Sequence, residues 1–559
     1  MNPNSSPVIW TRRFVGERWA FPITPLSESI FLRHFVGDFL DSPDFSQELG
    51  GSEPPVRTYR GYPYMNATMF MSLLPRLGLP VIPEFFLDLF PSSAYPTEHT
   101  FSSRAWWILM KTLWQKRFWR LIELRPLANC QQWRLFVPQY VRQIRHLHPR
   151  CVETLDGPAI AQRLESAISL LFPYRRIHIG SLGLANFLYM LAEFLLSSLS
   201  PQGTDVTCAE LAQPNSWTPT LVVNQVLAEI GEQMRHYPQL HAEAEVLNRR
   251  GVGQLLRQQP EHPIVKRFRE FLRLHGHRSD NSYDLMAPCW REAPEIPFRR
   301  ILGYANAPAA SWSVLPPLSS SERRQWLEAA GGPLTRRGIF KLLRAVLDHL
   351  ADYLVLREEQ RYYFELHVEV IKSLVHRAGI ALQHSYGVSE HSPHFLSFSD
   401  LIFALTRKAP SDHVIAQVTQ NAALHAQNEA LPPPPTFLRG DEPWADFDSA
   451  MGGWRGLGIS RGRVIGPAVV IEDPRRLPPL TGKEILVVRG LDPGWTALFP
   501  AVAGIVMELG GMLSHGALAA REHGIPAVSG IEGVTRKITT GQLIEVDGHT
   551  GRVSLRQGH

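Results

Sequence analysis

The sequence predicts a multidomain protein in which a large, mainly α-helical region is followed by a compact α/β domain. The chain has 559 residues, more than one ordinary domain contains. Between about residues 100 and 430, apolar residues recur every three or four positions, as in helices. After residue 446 they form short runs separated by Gly, Asp and Pro, which is typical of strands joined by turns.

Long segments with helical periodicity dominate the region before residue 430. The clearest are Trp106–Leu124, Ile160–Leu171, Leu221–Met234 and Leu334–Leu356. Leu354–Ala378 continues the pattern. For the charged residues between its apolar positions, the alternative to a functional role is an ordinary solvated face: Arg357, Glu358, Arg361, Glu365 and Glu369.

The most apolar stretch, Ser181–Ser200, includes Asn186 and Glu193. A bilayer tolerates a carboxylate poorly, so we expect a buried helix and no transmembrane segment. The first thirty residues include Arg12 and Arg13 and lack the continuous apolar run of a secretory signal. The sequence therefore predicts a cytoplasmic protein.

Four consecutive prolines, Pro432 to Pro435, form the strongest boundary in the sequence. Such a run excludes helix and favours a stiff, extended spacer. We expect a helical domain over residues 1–430, a Pro-rich hinge linker over residues 431–445 and an α/β domain over residues 446–559. Strands are expected in the last of these at Gly462–Ile471, Glu484–Val488, Ala503–Met507, Ala527–Val528 and Gln542–Val546.

Charge and cysteine spacing exclude several classes of protein. The net charge of +5 is small for this length, and no Lys/Arg-rich tract is present, so we expect no nucleic-acid partner. His275 and His277 lack a third ligand placed by pattern, so no metal site is expected. The four cysteines stand apart without a C-x-x-C pair, which predicts reduced thiols: Cys130, Cys151, Cys208 and Cys289.

A glycine-rich turn after the Ala503–Met507 run is the densest chemical signal. Gly510 and Gly511 allow a tight turn with exposed backbone N–H groups. Ser514 is a suitable N-cap for a helix through His523, with Gly524 as its C-terminal stop. The pattern therefore predicts a strand, a turn and a helix in immediate succession.

This arrangement places His515 in the first turn of the predicted helix. Free N–H groups and the positive end of the helix dipole favour an anion there. A neutral imidazole is a competent nucleophile near pH 7, so the site suits two-step phosphoryl transfer. For a single histidine the alternative is a packing or capping role.

The surrounding motifs resemble the phosphohistidine, or swivelling mobile, domain of phosphoenolpyruvate-utilising enzymes. This family includes phosphoenolpyruvate synthase, pyruvate phosphate dikinase and rifampicin phosphotransferase. The resemblance implies that His515 accepts and donates a phosphoryl group, supported by Gly510, Gly511, Ser514, Gly516 and Arg521. The matching motifs occur in the family's order: Gly456–Gly462, Leu486–Arg489, Asp492–Thr496, Gly510–Val528 and Val546–Gly548.

Shorter motifs upstream are similar to the acceptor-binding domain of the rifampicin phosphotransferase-like branch. They are Trp10–Arg13, Pro22–Ser29, His275–Arg278, Ala287–Trp290, Arg357–Arg361 and Phe395–Phe398. The resemblance implies that Arg357, Arg361 and Glu28 line the acceptor side. Two guanidiniums one helical turn apart can clamp a phosphoryl group, and Glu28 can orient an acceptor hydroxyl or take its proton. Ser282 departs from the family, which often has an acidic residue there.

No nucleotide-binding motif such as G-x-x-x-x-G-K-[ST] precedes the prolines, so this chain has no recognisable cofactor site of its own. The resemblance implies ATP and Mg²⁺, and we expect a separate ATP-grasp protein to supply them to a split phosphotransferase. The expected acceptor is a small molecule, bulky and partly apolar. The aromatic residues of the helical region are expected in its core, with some of them lining a pocket for the acceptor: Trp106, Trp107, Trp114 and Trp119.

Two other functions fit the sequence. The first is a non-catalytic or regulatory binding protein with a vestigial swivel domain. The second is a condensation or ligation enzyme that uses a phosphorylated intermediate.

Overall fold

The structure is a computed structural model. It describes residues 8–13, 15–16, 18–37, 54–69, 128–148, 156–199, 208–211, 216–247, 252–306, 325, 337–407, 410–444, 453–471, 478, 480–491, 495, 498–499, 501–512 and 514–556. The predicted helix Trp106–Leu124 and its four tryptophans lie outside these residues.

The chain forms two compact units, each built from separate stretches of sequence. The first comprises Met1–Gly180, Tyr283–Met286 and Leu366–Phe447. The second comprises Ser181–Ser282, Ala287–Glu365 and Asp448–His559. This division separates the chain by the compactness of its parts and does not test domain boundaries. The boundaries expected at residues 430 and 446 therefore stay a prediction.

Helices make up most of the described chain before residue 430. In chain order they are α1 Pro25–Ser27, a π-helical segment Glu28–Gly37, α2 Ala128–Leu147, α3 Gly157–Leu199, α4 Cys208–Leu211, α5 Pro219–Met234, α6 Pro238–Leu247, α7 Val252–Gln258, α8 Pro263–His275, α9 Glu295–Asn306, α10 Arg337–Tyr386, a 3₁₀ turn Ser392–Phe395, α11 Phe398–Arg407, α12 Ser411–Ala430, α13 His515–Glu522 and α14 Val534–Lys537.

The predicted helical segments within the described residues are confirmed. Helix α3 contains Ile160–Leu171, and α10 joins two predicted segments into one helix of 50 residues. Helix α5 begins at Pro219, ahead of the predicted Leu221, because the Thr218 hydroxyl accepts the Leu221 N–H and Pro219 occupies the first turn. Buried residues of α5, α8 and α9, among them Leu227, Phe268 and Ile301, share one core.

A small antiparallel sheet lies in the first unit. Its strands are β1 Ile9–Thr11, β2 Val56–Tyr59, β3 Tyr62–Asn66, β4 Phe437–Arg439 and β5 Glu442–Trp444, in the order β2-β3-β1-β4-β5. Trp10 of β1 pairs with Leu438 of β4, so the sheet joins the start of the chain to the segment after the prolines. Residues 437–444, predicted as linker, therefore belong to a sheet.

The C-terminal region is a mixed sheet of eight strands in the order β6-β13-β12-β8-β9-β10-β11-β7. Strands β8 to β11 are parallel, and both flanks are antiparallel. All five predicted strands are present. The bounds are β6 Trp454–Arg455, β7 Leu457–Ser460, β8 Arg463–Ile471, β9 Ile485–Val488, β10 Gly504–Met507, β11 Ala527–Ser529, β12 Leu543–Asp547 and β13 Arg552–Leu555.

Gly456 connects the two end strands of this sheet, β6 and β7. A Cβ on Gly456 would lie 2.2 Å from the Ser529 carbonyl oxygen, a distance that no side chain tolerates. The Gly456 N–H donates to the Gly551 carbonyl at 2.8 Å. The sheet therefore curls until its two edges meet at a single residue. Together with the helices, it confirms a multidomain fold with a helical part and a sheet-rich C-terminal part.

Within the described residues, one helix is long and apolar enough to cross a membrane by length and composition. It covers residues 157–196, and 35% of its most apolar window is buried. The core helix of a protein that never enters a membrane has the same properties, so this finding is weak evidence for a membrane span.

Candidate functional site

The turn between β10 and α13 holds the residues predicted to carry a phosphoryl group. Gly510 has a φ of 134°, a value that side chains disfavour. A Cβ there would lie 3.2 Å from the Ser529 hydroxyl oxygen. That hydroxyl donates to the Gly510 carbonyl at 2.7 Å, which ties the turn to β11. The predicted tight glycine turn is therefore present.

Ser514 caps the helix that follows the turn. Its backbone is extended, with φ −65° and ψ 158°, and its hydroxyl accepts the Ala517 N–H at 3.2 Å. The Ser514 N–H donates to the Gly511 carbonyl at 3.0 Å. Helix α13 begins at His515, the next residue. The backbone of His515 thus stands in the helix turn whose free N–H groups favour anions.

Helix α13 ends as its sequence predicts. Gly524 has a φ of 65°, and its N–H donates to the Arg521 carbonyl at 3.1 Å. The Ile525 N–H donates to the Ala520 carbonyl at 2.9 Å, which completes a Schellman motif. Gly516, in the first turn, packs closely, because a Cβ there would lie 3.1 Å from the Met507 sulfur.

Arg521 lies in the last turn of α13, at the opposite end from His515. Its side chain is buried, and Nη1 donates to the Ile459 carbonyl of β7 at 3.1 Å. Its charge also acts on Tyr189 and Cys208, whose pKa values burial raises and the guanidinium lowers. These contacts connect α13 to β7 and α3, and phosphate support by Arg521 stays a prediction.

His523 is the C-terminal cap of α13. Its Nε2 is buried and has no hydrogen-bond partner among the described residues. Burial lowers the pKa of the imidazole to about 4. The ring therefore stays neutral at physiological pH.

A buried group of charged residues surrounds Arg361 on α10. Arg361 Nε donates to one Glu365 oxygen at 3.1 Å, and Nη2 donates to the Ser282 hydroxyl. Arg278 Nε lies 3.0 Å from the other Glu365 oxygen. One carboxylate is thus shared by two guanidiniums. Arg357, one helical turn before Arg361, is also buried.

The alternative interpretation, a solvated face on this helix, is wrong. All five of its charged residues are at most 9% exposed: Arg357, Glu358, Arg361, Glu365 and Glu369. Glu358 accepts the Thr220 hydroxyl at 2.7 Å, so it packs against α5. The spacing of four residues between Arg357, Arg361 and Glu365 places them on one face. That face is buried because neighbouring elements supply polar partners.

Glu28 lies in the first compact unit, at the start of the π-helical segment. One of its oxygens accepts the Thr58 hydroxyl at 3.2 Å. Just before it, the Ser27 hydroxyl donates to Asp284 at 3.4 Å and accepts the Leu285 N–H at 3.1 Å. Glu28 and the pair Arg357 and Arg361 belong to different units, so their common acceptor-side role stays a prediction.

The described residues contain no group of three or more His, Cys, Asp or Glu side chains that could hold a metal ion. Among the cysteines that the structure describes, Cys130, Cys208 and Cys289 are free thiols. Sequence reasoning missed the pairing of Arg278 with Glu365. The available signals were the inclusion of Arg278 in the short His275–Arg278 motif and the position of Glu365 four residues after Arg361.

Comparison with known families identifies two regions of the chain. Residues 480–551 match the mobile domain of PEP-utilising enzymes, which covers β9 to β12 and the His515 turn. Residues 180–358 match the fourth domain of rifampicin phosphotransferase. The resemblance to phosphoenolpyruvate-utilising enzymes and to rifampicin phosphotransferase is therefore confirmed.

Individual relatives agree with this class. Rifampicin phosphotransferase of Streptomyces sviceus is 32% identical over 217 residues, which are 38% of this chain and 24% of the relative. Chondramide synthase of Chondromyces crocatus is 30% identical over 324 residues, 52% of this chain and 8% of the relative. The prodigiosin synthesizing transferase of Serratia marcescens is 37% identical over 139 residues, 24% of this chain and 15% of the relative. The chain thus matches less than a quarter of the length of each relative.

Replacement of Gly510 by alanine tests the turn. We expect Gly510→Ala to destabilise α13 locally by about 1–3 kcal/mol, because the residue then adopts a φ disfavoured for side chains and crowds Ser529. Hydrogen exchange of the α13 amides measures the effect as faster exchange. Gly511→Ala is the matched control, since a Cβ there meets nothing within 4 Å. Equal exchange in the two variants would contradict the prediction.

The pKa of His523 predicts a pH dependence. Because the folded pKa of about 4 lies below the ordinary value of 6.5, only the unfolded state gains a proton between these values. Stability therefore falls as pH decreases from about 6.5 to about 4, by about 3 kcal/mol from this residue. Hydrogen exchange of α13 across this range should show a smaller loss in His523→Gln than in the native chain. A loss of the same size in both would refute it.

Proposed function

We propose that this chain is the phosphohistidine component of a phosphotransferase. In this proposal His515 accepts a phosphoryl group and delivers it to a small-molecule acceptor bound by the helical part of the chain. The observation that supports it most is the start of α13 at His515, directly after a Ser514 cap and a tight glycine turn, inside a region that matches the mobile domain. The chain acts in the cytoplasm.

The physical basis is the first turn of α13. The positive end of the helix dipole stabilises the charge of a phosphorylated imidazole, and so do the free N–H groups of this turn. The Ala517 N–H is not among them, because it donates to the Ser514 hydroxyl. A ring nitrogen forms an N–P bond as the bond to the donor breaks. In the second step an acceptor oxygen attacks the same phosphorus, and the N–P bond breaks.

The phosphoryl donor in this proposal is ATP with Mg²⁺, bound by a separate ATP-grasp protein. Because no nucleotide-binding motif precedes the prolines, this proposal assigns the donor chemistry to that partner. On the acceptor side, Arg357 and Arg361 stabilise the charge of the transferring phosphoryl group, and Glu28 takes the acceptor proton. The buried position of both arginines on one helix supports the first of these roles.

A second candidate function is a condensation or ligation reaction through a phosphorylated intermediate. The names of two relatives, a chondramide synthase and a prodigiosin synthesizing transferase, favour it. In this case an oxygen of one substrate takes the phosphoryl group as the N–P bond to His515 breaks, and a second substrate then displaces that group as inorganic phosphate. A regulatory binding protein without catalysis is the third candidate, and no specific observation favours it.

Loss of the imidazole tests the phosphohistidine. After incubation with ATP, Mg²⁺ and a candidate ATP-grasp partner, we expect acid-labile phosphate on the native chain and none on His515→Ala. Mass spectrometry locates the phosphate. His549→Ala is the control, because His549 is exposed in a turn of the same sheet and should leave labelling unchanged. Full labelling of His515→Ala would exclude the proposal, and no labelling of the native chain with any partner favours the binding protein.

A second test separates loading of His515 from delivery. We expect Arg357→Met to be phosphorylated normally but to pass the group to a trial acceptor, rifampicin, about a hundredfold more slowly. The measurement is the loss of acid-labile phosphate from the labelled chain over time. Arg344→Ala on the same helix is the control, since the Arg344 side chain is partly exposed and pairs with Asp348 at the surface. Equal delivery by Arg357→Met and the native chain would remove Arg357 from the reaction.

A further inference from the structure

A short segment, residues 529–535, holds the turn between β10 and α13. The Ile531 N–H donates to the Met507 carbonyl at 3.3 Å, at the end of β10. The Ser529 hydroxyl donates to the Gly510 carbonyl, further along the turn. Both bonds join residues that are far apart in the chain. The turn is therefore fixed by contacts with another segment.

Glu508 lies between these two attachment points and adds a third. Its Oε1 accepts the Thr535 N–H at 3.0 Å and the Thr535 hydroxyl at 2.5 Å. Glu508 is half-buried and Thr535 is buried, so water competes little with these bonds. Because a hydrogen bond to a carboxylate is about twice as strong as a neutral one, this pair is the firmest of the three attachments.

Helix α14 supplies Thr535 from a fixed position. Val534 and Ile538 are at most 1% exposed, in a core that also contains residues of β10 and β11. Gly533, the N-cap of α14, forms no side-chain hydrogen bond to the helix. The first N–H groups of a helix have no partner within it, and Glu508 accepts the one of Thr535. Glu508 thus joins the β10–α13 turn to a helix that is anchored in the core.

The position of this turn determines where His515 begins α13. The glycines between Glu508 and His515, Gly510 and Gly511, have no side chains through which the turn could be held. A Cβ at Gly511 would meet no atom within 4 Å, so the turn is open on that side. Phosphoryl transfer requires the attacking nitrogen to align with phosphorus, and a misplacement of about 1 Å slows a reaction by about a hundredfold. Attachment of the turn through Glu508 therefore bears on the rate of transfer.

We propose that Glu508 is a positioning residue for phosphorylation of His515, and that it acts through its bonds to Thr535. The inference rests on the proposed function and deepens it, because it adds to the same site a residue that the sequence motifs did not indicate. Glu508 does not react with the phosphoryl group. It keeps the β10–α13 turn in the place from which the first turn of α13 stabilises the transferred charge.

A second pair of the same chemistry provides a matched control. Glu484 accepts the Thr481 N–H at 2.8 Å and the Thr481 hydroxyl at 2.7 Å. The two residues are three positions apart, so this pair joins no distant segments. It lies just before β9, and β9 runs parallel to β10. The pair therefore stands at the opposite edge of the sheet from the turn that follows β10.

The test uses the full chain and phosphoramidate, a small phosphoryl donor that needs no partner protein. A ring nitrogen of His515 bonds to phosphorus as the phosphorus–nitrogen bond of phosphoramidate breaks and ammonia leaves. Mass spectrometry follows phosphate on His515 over time. We expect Glu508→Ala to be labelled about tenfold more slowly and Thr535→Val at least about threefold more slowly. Thr535→Ser, which keeps the hydroxyl, and the control Thr481→Val should both stay within about twofold of the native rate.

Melting curves establish a temperature at which all variants are folded, and the rates are compared there. If Glu508→Ala does not fold, the comparison of Thr535→Val with Thr535→Ser decides. Native labelling of Thr535→Val overturns the inference, and so does slow labelling of Thr535→Ser or of Thr481→Val. If the native chain and all these variants gain phosphate on His515 equally fast, only this inference fails. A native chain that gains none, from phosphoramidate or with a partner, contradicts the proposed function and this inference with it.

Discussion

The hydrogen bond from the Ser529 hydroxyl to the Gly510 carbonyl is the constraint on which the C-terminal region depends. It holds β11 against the turn after β10, at a residue whose φ of 134° requires glycine. The position of this turn then determines where Ser514 caps α13 and where His515 begins the helix. Strand, turn and helix dipole thus combine to produce one position suited to a phosphorylated side chain.

A second constraint operates at Glu365. Ion pairs inside a protein contribute little net stability when compared with apolar packing, because both charges lose water. One carboxylate there contacts two guanidiniums, those of Arg278 and Arg361, so it holds two distant segments of the chain together. In the same unit, Asp280 and Arg300 form a further buried ion pair at 2.7 Å.

Local signals explain which features the sequence predicts. The five strands from Gly462 onward are short apolar runs between Gly, Pro and Asp, and the cap and stop of α13 are signals of one or two residues. Nonlocal pairing explains the rest. Nothing near Ile9 indicates that it pairs with Arg439, so the sheet joining them was not predicted. The burial of the charged face of α10 was not predicted for the same reason, because it depends on residues from distant segments: Thr220, Ser282 and Arg278.

The link between the two end strands at Gly456 has a consequence for the edges of the eight-stranded sheet. Open sheets present unpaired backbone groups that recruit strands from other molecules. Here the first and last strands of the order are separated by one residue, which itself pairs with Gly551. The two end strands are also short, of two and four residues, so each offers little backbone for edge-to-edge pairing with another chain.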